Sequence, residues 1–236
     1  MKLETRNPCA TAFCRLLETM VSSSKFSRQK ITSTTEAEGN PLTPENSSTS
    51  LLTRSLNEHL EAMQALLDSR LADIDAAGRL ICQALRAGNK ILLCGNGGSA
   101  ADAQHIAAEF VGRYELQRQA FPAISLTTDT SALTALSNDY GYEEVFARQV
   151  EALAAAGDVL IAISTSGKSP NIVKAAEKAR AIGCKTIALT GCAGEPLASQ
   201  CDLAIVVPSE RTSRVQEAHI TIGHLWCEMV DSSLAK

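Results

Sequence analysis

Aromatic residues are scarce: only 4% of the 236 positions, with one Trp, three Tyr and five Phe. That argues against an aromatic-rich β-sandwich and for helices packed on a buried sheet, with Ala, Leu and Ile supplying the apolar mass. There is no excess of positive charge, since 22 basic side chains face 26 acidic ones for a formal charge of -4. A nucleic-acid footprint is thereby excluded. An anionic ligand has to be held by local dipoles and a few placed groups. No apolar run reaches the ~18 residues needed to cross a bilayer, and no compact apolar segment with a small-residue cleavage site opens the chain. These absences point to a cytoplasmic protein with no membrane partner.

Eight cysteines are present, but none in CxxC spacing. A chain this long and apolar needs no disulfide framework. Of Cys9, Cys14, Cys82, Cys94, Cys184, Cys192, Cys201 and Cys227, the four at 82, 94, 184 and 227 fall inside apolar periodic segments and read as buried reduced thiols. Residues 1–50 read as a disordered extension, because residues 21–50, rich in Ser, Thr, Asn and Glu, cannot bury enough surface to offset the entropy of ordering. A short amphipathic turn around Phe13 to Val21 has no evident partner.

From Leu51 a strict pattern begins, giving a domain over 51–236. Leu56, Leu60, Met63 and Leu67, then Leu71, Ile74, Ala77, Ile81 and Leu85, predict two helices ahead of the first strand. Strands are expected at 90–95, 123–126, 159–163, 186–189 and 203–207. Helices are expected at 99–114, 143–155, 169–182 and 211–234, with shorter pieces near 131 and 195. Continuous apolar runs alternating with helices predict an α/β fold with a doubly wound, five-stranded parallel sheet.

Ligands of such sheets bind at the carboxyl ends of strands. Cys94-Gly-Asn-Gly-Gly-Ser99 joins the first strand to a helix. Its glycines permit close backbone approach, Ser99 can cap the helix, and the helix N-terminus attracts anions. It is not GxGxxG, and a plain tight turn explains it equally well. Ser164-Thr-Ser-Gly-Lys-Ser169 again follows a strand and opens a helix, so its hydroxyls make either a phosphate cradle or a capping cluster. His105 and Glu109, four apart, share a helix face, with Arg113 one turn on. They serve as a two-ligand metal clamp or as a solvated ion pair. Near the C-terminus, Gln216, Glu217, His219 and His224 share one helix.

Together these segments resemble the sugar isomerase (SIS) superfamily and, within it, the phosphoheptose isomerase family. The resemblance is carried by CGNGGSAADAQHIAAEFVGRY, SNDYG, AISTSGKSPN and RVQEAHITIGH, in that order, and covers Leu51 to the C-terminus. It implies conversion of sedoheptulose 7-phosphate to D-glycero-D-manno-heptose 7-phosphate through an enediol, supplying ADP-heptose for lipopolysaccharide or related surface glycans. It also implies one zinc ion per subunit on His105, Glu109, Gln216 and His224, with Glu109 and His224 as the acid/base pair. Substrate contacts implied are Asn96, Gly97, Gly98, Glu109, Asn138, Asp139, Ser164, Thr165, Ser166, Ser169 and Gln216. The family is a homotetramer with active sites between subunits. Related SIS proteins lacking the acid/base side chains bind a replication initiator protein, and others sense phosphosugars. Retention of Glu109 and His224 favours the enzyme. Helix geometry fits Gln216 awkwardly: eight residues before His224 is about 80° around the wheel and about 12 Å along it, so Glu217 aligns better. Glu217 is expected to support the site as an ion-pair partner.

Overall fold

The computed structural model describes residues 48–234. The extension, Cys9, Cys14 and the turn near Phe13 lie outside the described residues, apart from 48–50, which are helical. In chain order the elements are α1 (Ser48–Arg86), β1 (Ile91–Gly95), α2 (Gly98–Val111), β2 (Ala123–Ser125) and α3 (Thr130–Tyr140). A 3-10 turn (Tyr142–Glu144) follows, then α4 (Val145–Leu153), β3 (Val159–Ser164) and α5 (Pro170–Ile182). The chain continues through β4 (Lys185–Gly191), α6 (Leu197–Gln200), β5 (Leu203–Val207) and α7 (Thr212–Leu234).

All strand pairings are parallel and the order is β2-β1-β3-β4-β5. The five expected strands are therefore present, each within a residue or two of its expected bounds. The order reverses between β1 and β3, which pair from Ile91↔Val159 to Gly95↔Ile163. The loops leaving those two strands thus emerge side by side.

One expectation fails. The segment before β1 is a single helix of 39 residues, not two. Between the two apolar sets, Asp68-Ser69-Arg70 contains neither Gly nor Pro. Its side chains support the helix instead: Gln64 Nε2 donates to Asp68 and Ser69 Oγ donates to the Ala65 carbonyl.

Helices cover both faces of the sheet, and the two layers differ in bulk. On one face Ile91, Leu93, Val159, Ile161, Ile163, Ile187, Leu189, Ile205 and Val207 pack under α1, α2 and α7. On the other, the smaller set Leu92, Cys94, Leu160, Ala162 and Ala188 packs under α4, α5 and α6. The period of two along each strand produces this sorting. Trp226 of α7, fully buried, donates its indole N–H to the Ile74 carbonyl of α1 at 3.0 Å.

Cys82, Cys94, Cys184 and Cys227 are buried and free, as expected. Burial raises all four thiols, Cys227 to about 12. No described helix is long and apolar enough to cross a membrane.

Candidate active site

Two helices on the bulky side of the sheet, α2 and α7, carry His105, Glu109 and His224. Their backbones approach closely because position 223 lacks a side chain: a Cβ there would lie 2.5 Å from Ile106 Cδ1. That crossing places the neighbouring side chains, His105 and His224, face to face. Their Nε2 atoms are 2.9 Å apart and their rings meet edge-on. Glu109, one turn beyond His105, has its Oε1 3.6 Å from His105 Nε2. So His105, Glu109 and His224 converge within one chain. Tyr114 stacks on the other side of His224, with ring centroids 5.3 Å apart. Burial and the nearby Glu228 and Glu115 carboxylates raise its phenol, which keeps it a neutral hydrogen-bonding group.

Gln216 approaches from the same helix as His224 and lies over the start of α2. A Cβ at Gly98 would come within 2.4 Å of Gln216 Nε2, so only glycine admits that amide. Glu217 turns away to accept from Arg214 and to pair with His59 Nδ1 of α1 at 2.7 Å, the supporting ion-pair role expected for it.

The glycine loop opens α2 without the expected Ser99 cap. Gly97 (φ +55°) is the N-cap and makes no side-chain cap bond, while Ser99 lies buried inside the first turn. Gly97 and Gly98 are exposed at the helix N-terminus, where free N–H groups gather. On the thin side of the sheet, Ser169 is the N-cap of α5, but its hydroxyl does not cap the helix; it accepts from Ser164 Oγ at 3.2 Å. Thr165 and Ser166 line a cleft of about 300 Å³ together with Cys192, Ser209, Glu210 and Thr212. Asn138 and Asp139 sit exposed in the last turn of α3, hydrogen-bonded to each other at 2.8 Å. Tyr142, three residues further on, reaches Asn96 of the glycine loop at 3.0 Å.

Sequence reasoning missed several contributors. Asp102, one turn before His105, has a buried Oδ2 with no partner; burial raises its carboxyl to about 6, against the pull of His105. The spacing i, i+3 from His105 was visible but carried no signal by itself. Arg118, fully buried, bonds Asp231 of α7 at 2.6 Å and donates to the carbonyls of Glu109 (2.8 Å) and Phe110 (3.0 Å). It thereby ties the end of α2 that carries Glu109 to the helix that carries His224.

The donor chemistry fits a divalent ion. His105 and His224, with Nε2 atoms 2.9 Å apart, and the Glu109 carboxylate beside them are nitrogen and oxygen donors of the kind that would hold a zinc ion. Among the described residues no three His, Cys, Asp or Glu side chains already surround a common centre.

Residues 56–191 match the SIS domain family model. A phosphoheptose isomerase of Aliarcobacter butzleri is 53% identical over 177 residues, covering 75% of this chain and 94% of that protein. One from Geobacter sp. (strain M21) is 55% identical over 179 residues, covering 76% and 93%. The solved phosphoheptose isomerase of Neisseria gonorrhoeae superposes with a TM-score of 0.75 at 43% identity, over 79% of this chain and all of that one. With its parallel five-stranded sheet, paired strand-to-helix loops at the reversal of strand order and converging His105, Glu109 and His224, the chain belongs to the SIS domain family, among its phosphoheptose isomerases, and is a sugar-phosphate isomerase.

Proposed function

We propose that the chain interconverts sedoheptulose 7-phosphate and D-glycero-D-manno-heptose 7-phosphate in the cytoplasm, supplying ADP-heptose for surface glycans. The observation that carries this is the meeting of Glu109 and His105 of α2 with His224 of α7. Free thiols at all six described cysteines suit a reducing compartment.

Ketose–aldose conversion moves a proton between adjacent carbons through an enediol. It requires a base at one carbon, a donor at its neighbour, and stabilisation of the oxyanion that develops between them. Glu109 and His224 are assigned to the proton transfers. Tyr114, stacked on His224, limits the tilt of that ring. Ser164, Thr165, Ser166 and Ser169 are assigned to the phosphate, whose remote binding energy fixes the carbon chain for reaction. Gly97 and Gly98 offer backbone N–H groups, and Asn138 and Asp139 reach the sugar from the rim. His105, Glu109, Gln216 and His224 would hold a zinc ion, and a bound divalent ion polarises a carbonyl oxygen.

A homotetramer completes the proposal, with sites between subunits. Leu51, Leu52, Leu56, Leu60, Leu67 and Leu71 are all more than half exposed along α1, an apolar stripe of the kind that marks an association surface.

The test is turnover of sedoheptulose 7-phosphate with and without a chelator, alongside exchange of the substrate's carbon-bound hydrogen with deuterated solvent. Glu109→Gln and His224→Ala should each lower kcat by about 10²–10⁴-fold. Near-normal rates in both variants would remove the assignment. Binding without hydrogen exchange would mark a sensor.

A further inference from the structure

Asn96 stands in the glycine loop, where a substrate contact is expected, yet its side chain is already committed. Its Oδ1 accepts from Asn171 Nδ2 at 2.9 Å and from the Tyr142 hydroxyl at 3.0 Å. Its Nδ2 donates to Asn171 Oδ1 at 2.9 Å. A carboxamide has two acceptor sites and two donors, so one N–H is all that remains for a sugar.

Asn171 is built for this partnership. It is the second residue of α5, behind Pro170, and only 2% exposed. A buried carboxamide without partners is costly, and here both of its ends close on Asn96. The bond runs across the end of the sheet at the reversal of strand order. Asn96 follows β1 and leads into the helix of His105 and Glu109. Asn171 follows the serine-threonine loop of β3.

We propose that Asn171 and Tyr142 are positioning residues. They hold Asn96 as a brace that fixes the separation between the loop assigned to the phosphate and the helix carrying the reactive groups. Asn96 then serves the substrate through its loop's backbone, not its amide. The inference rests on the isomerase reading above for its catalytic consequence, but the brace itself is a property of the two loops.

A double-mutant cycle on sedoheptulose 7-phosphate turnover tests it. Asn96→Ala and Asn171→Ala should each lower kcat/KM by about 10–100-fold, mainly in kcat, since each breaks at least two neutral hydrogen bonds of the brace. The double variant should be no worse than the poorer single one, because both remove the same unit. Competitive inhibition by inorganic phosphate should stay within about twofold, a result that general unfolding of the site would not give. Tyr142→Phe, at an exposed position that does not threaten folding, should cost about two- to tenfold.

Effects that multiply in the double variant would show that Asn96 touches the sugar independently, and would overturn the proposal. So would loss of phosphate inhibition in step with kcat. If the unmodified protein fails to turn over the substrate, the isomerase reading falls, and the brace is judged by hydrogen exchange. Amides of residues 95–99 should then exchange at least about tenfold faster in Asn171→Ala and about two- to tenfold faster in Tyr142→Phe. Unchanged protection in both would end the proposal on its own.

Discussion

Replacing Asp231 with Asn keeps the side chain's shape and removes its charge. In the native protein this carboxylate accepts from Arg118 Nε at 2.6 Å and from the backbone N–H groups of Glu115 (2.9 Å) and Leu116 (2.8 Å). Arg118 is fully buried, so Asp231→Asn strands a guanidinium away from water with no counter-charge. Breaking a buried pair from one side costs about 3–5 kcal/mol, whereas replacing both partners with apolar groups is often close to neutral. Urea denaturation at fixed protein concentration should therefore show Asp231→Asn losing ~3 kcal/mol or more, with Arg118→Met/Asp231→Leu recovering much of it. The sign of the pH dependence follows. Burial alone would raise the Asp231 carboxyl, but the Leu116 N–H, Arg118 and the Glu115 N–H outweigh it and hold the value below normal. The stabilisation is complete above the ordinary carboxylate range near ~4 and is lost as pH falls through the lowered value. Asp231→Asn should abolish that portion of the acid dependence. A loss under about 1 kcal/mol would refute the claim that this pair fastens the ends of α2 and α7.

Other outcomes are accessible to simple measurements. His219 is fully buried, and burial lowers its value to about 4 against the opposing pull of the Thr190 backbone. Because the unfolded imidazole binds its proton near ~6.5, stability should erode by ~3 kcal/mol between there and about 4, and His219→Leu should flatten that slope in urea titrations. Gly98→Ala should leave stability unchanged or raise it by up to ~1 kcal/mol, since alanine suits a helix better. Its methyl should nonetheless displace the Gln216 amide and cut kcat/KM by about tenfold or more. Leu56→Ser/Leu60→Ser should reduce the assembly seen by sedimentation, and an unchanged particle would remove the apolar stripe from the interface.

Much of this arrangement was legible before any coordinates. Strands buried on both faces announce themselves as short Val/Ile/Leu runs, so all five were placed. The glycine loop and the serine-threonine loop followed from the strands that precede them. What escaped were contacts between segments far apart in sequence. Nothing local marks Asn171 as the partner of Asn96, 75 residues away, or Arg118 as the partner of Asp231. The two helices expected ahead of β1 proved to be one: two sets of apolar spacing were read as separate helices where no Gly or Pro interrupts the helical ladder. Ser99 was expected to cap α2, but the loop's own glycine took that position. Helix arithmetic favoured Glu217 over Gln216 for alignment with His224. The structure instead gives Glu217 to His59 and Arg214 and lays Gln216 over Gly98.

The unequal filling of the two sheet faces separates the groups proposed for proton transfer from those proposed for the phosphate. The imidazoles and Glu109 ride on the heavily filled side, whereas the hydroxyl loop belongs to α5, seated on Ala162 and Ala188 through its own Ala175, Ala176 and Ala179. On the roles proposed above, enlarging one of those alanines would lever the hydroxyl loop outward and leave His105, Glu109 and His224 in place. Affinity for the phosphate and the rate of the chemical step can therefore drift apart over generations, each adjusted from its own side of the sheet.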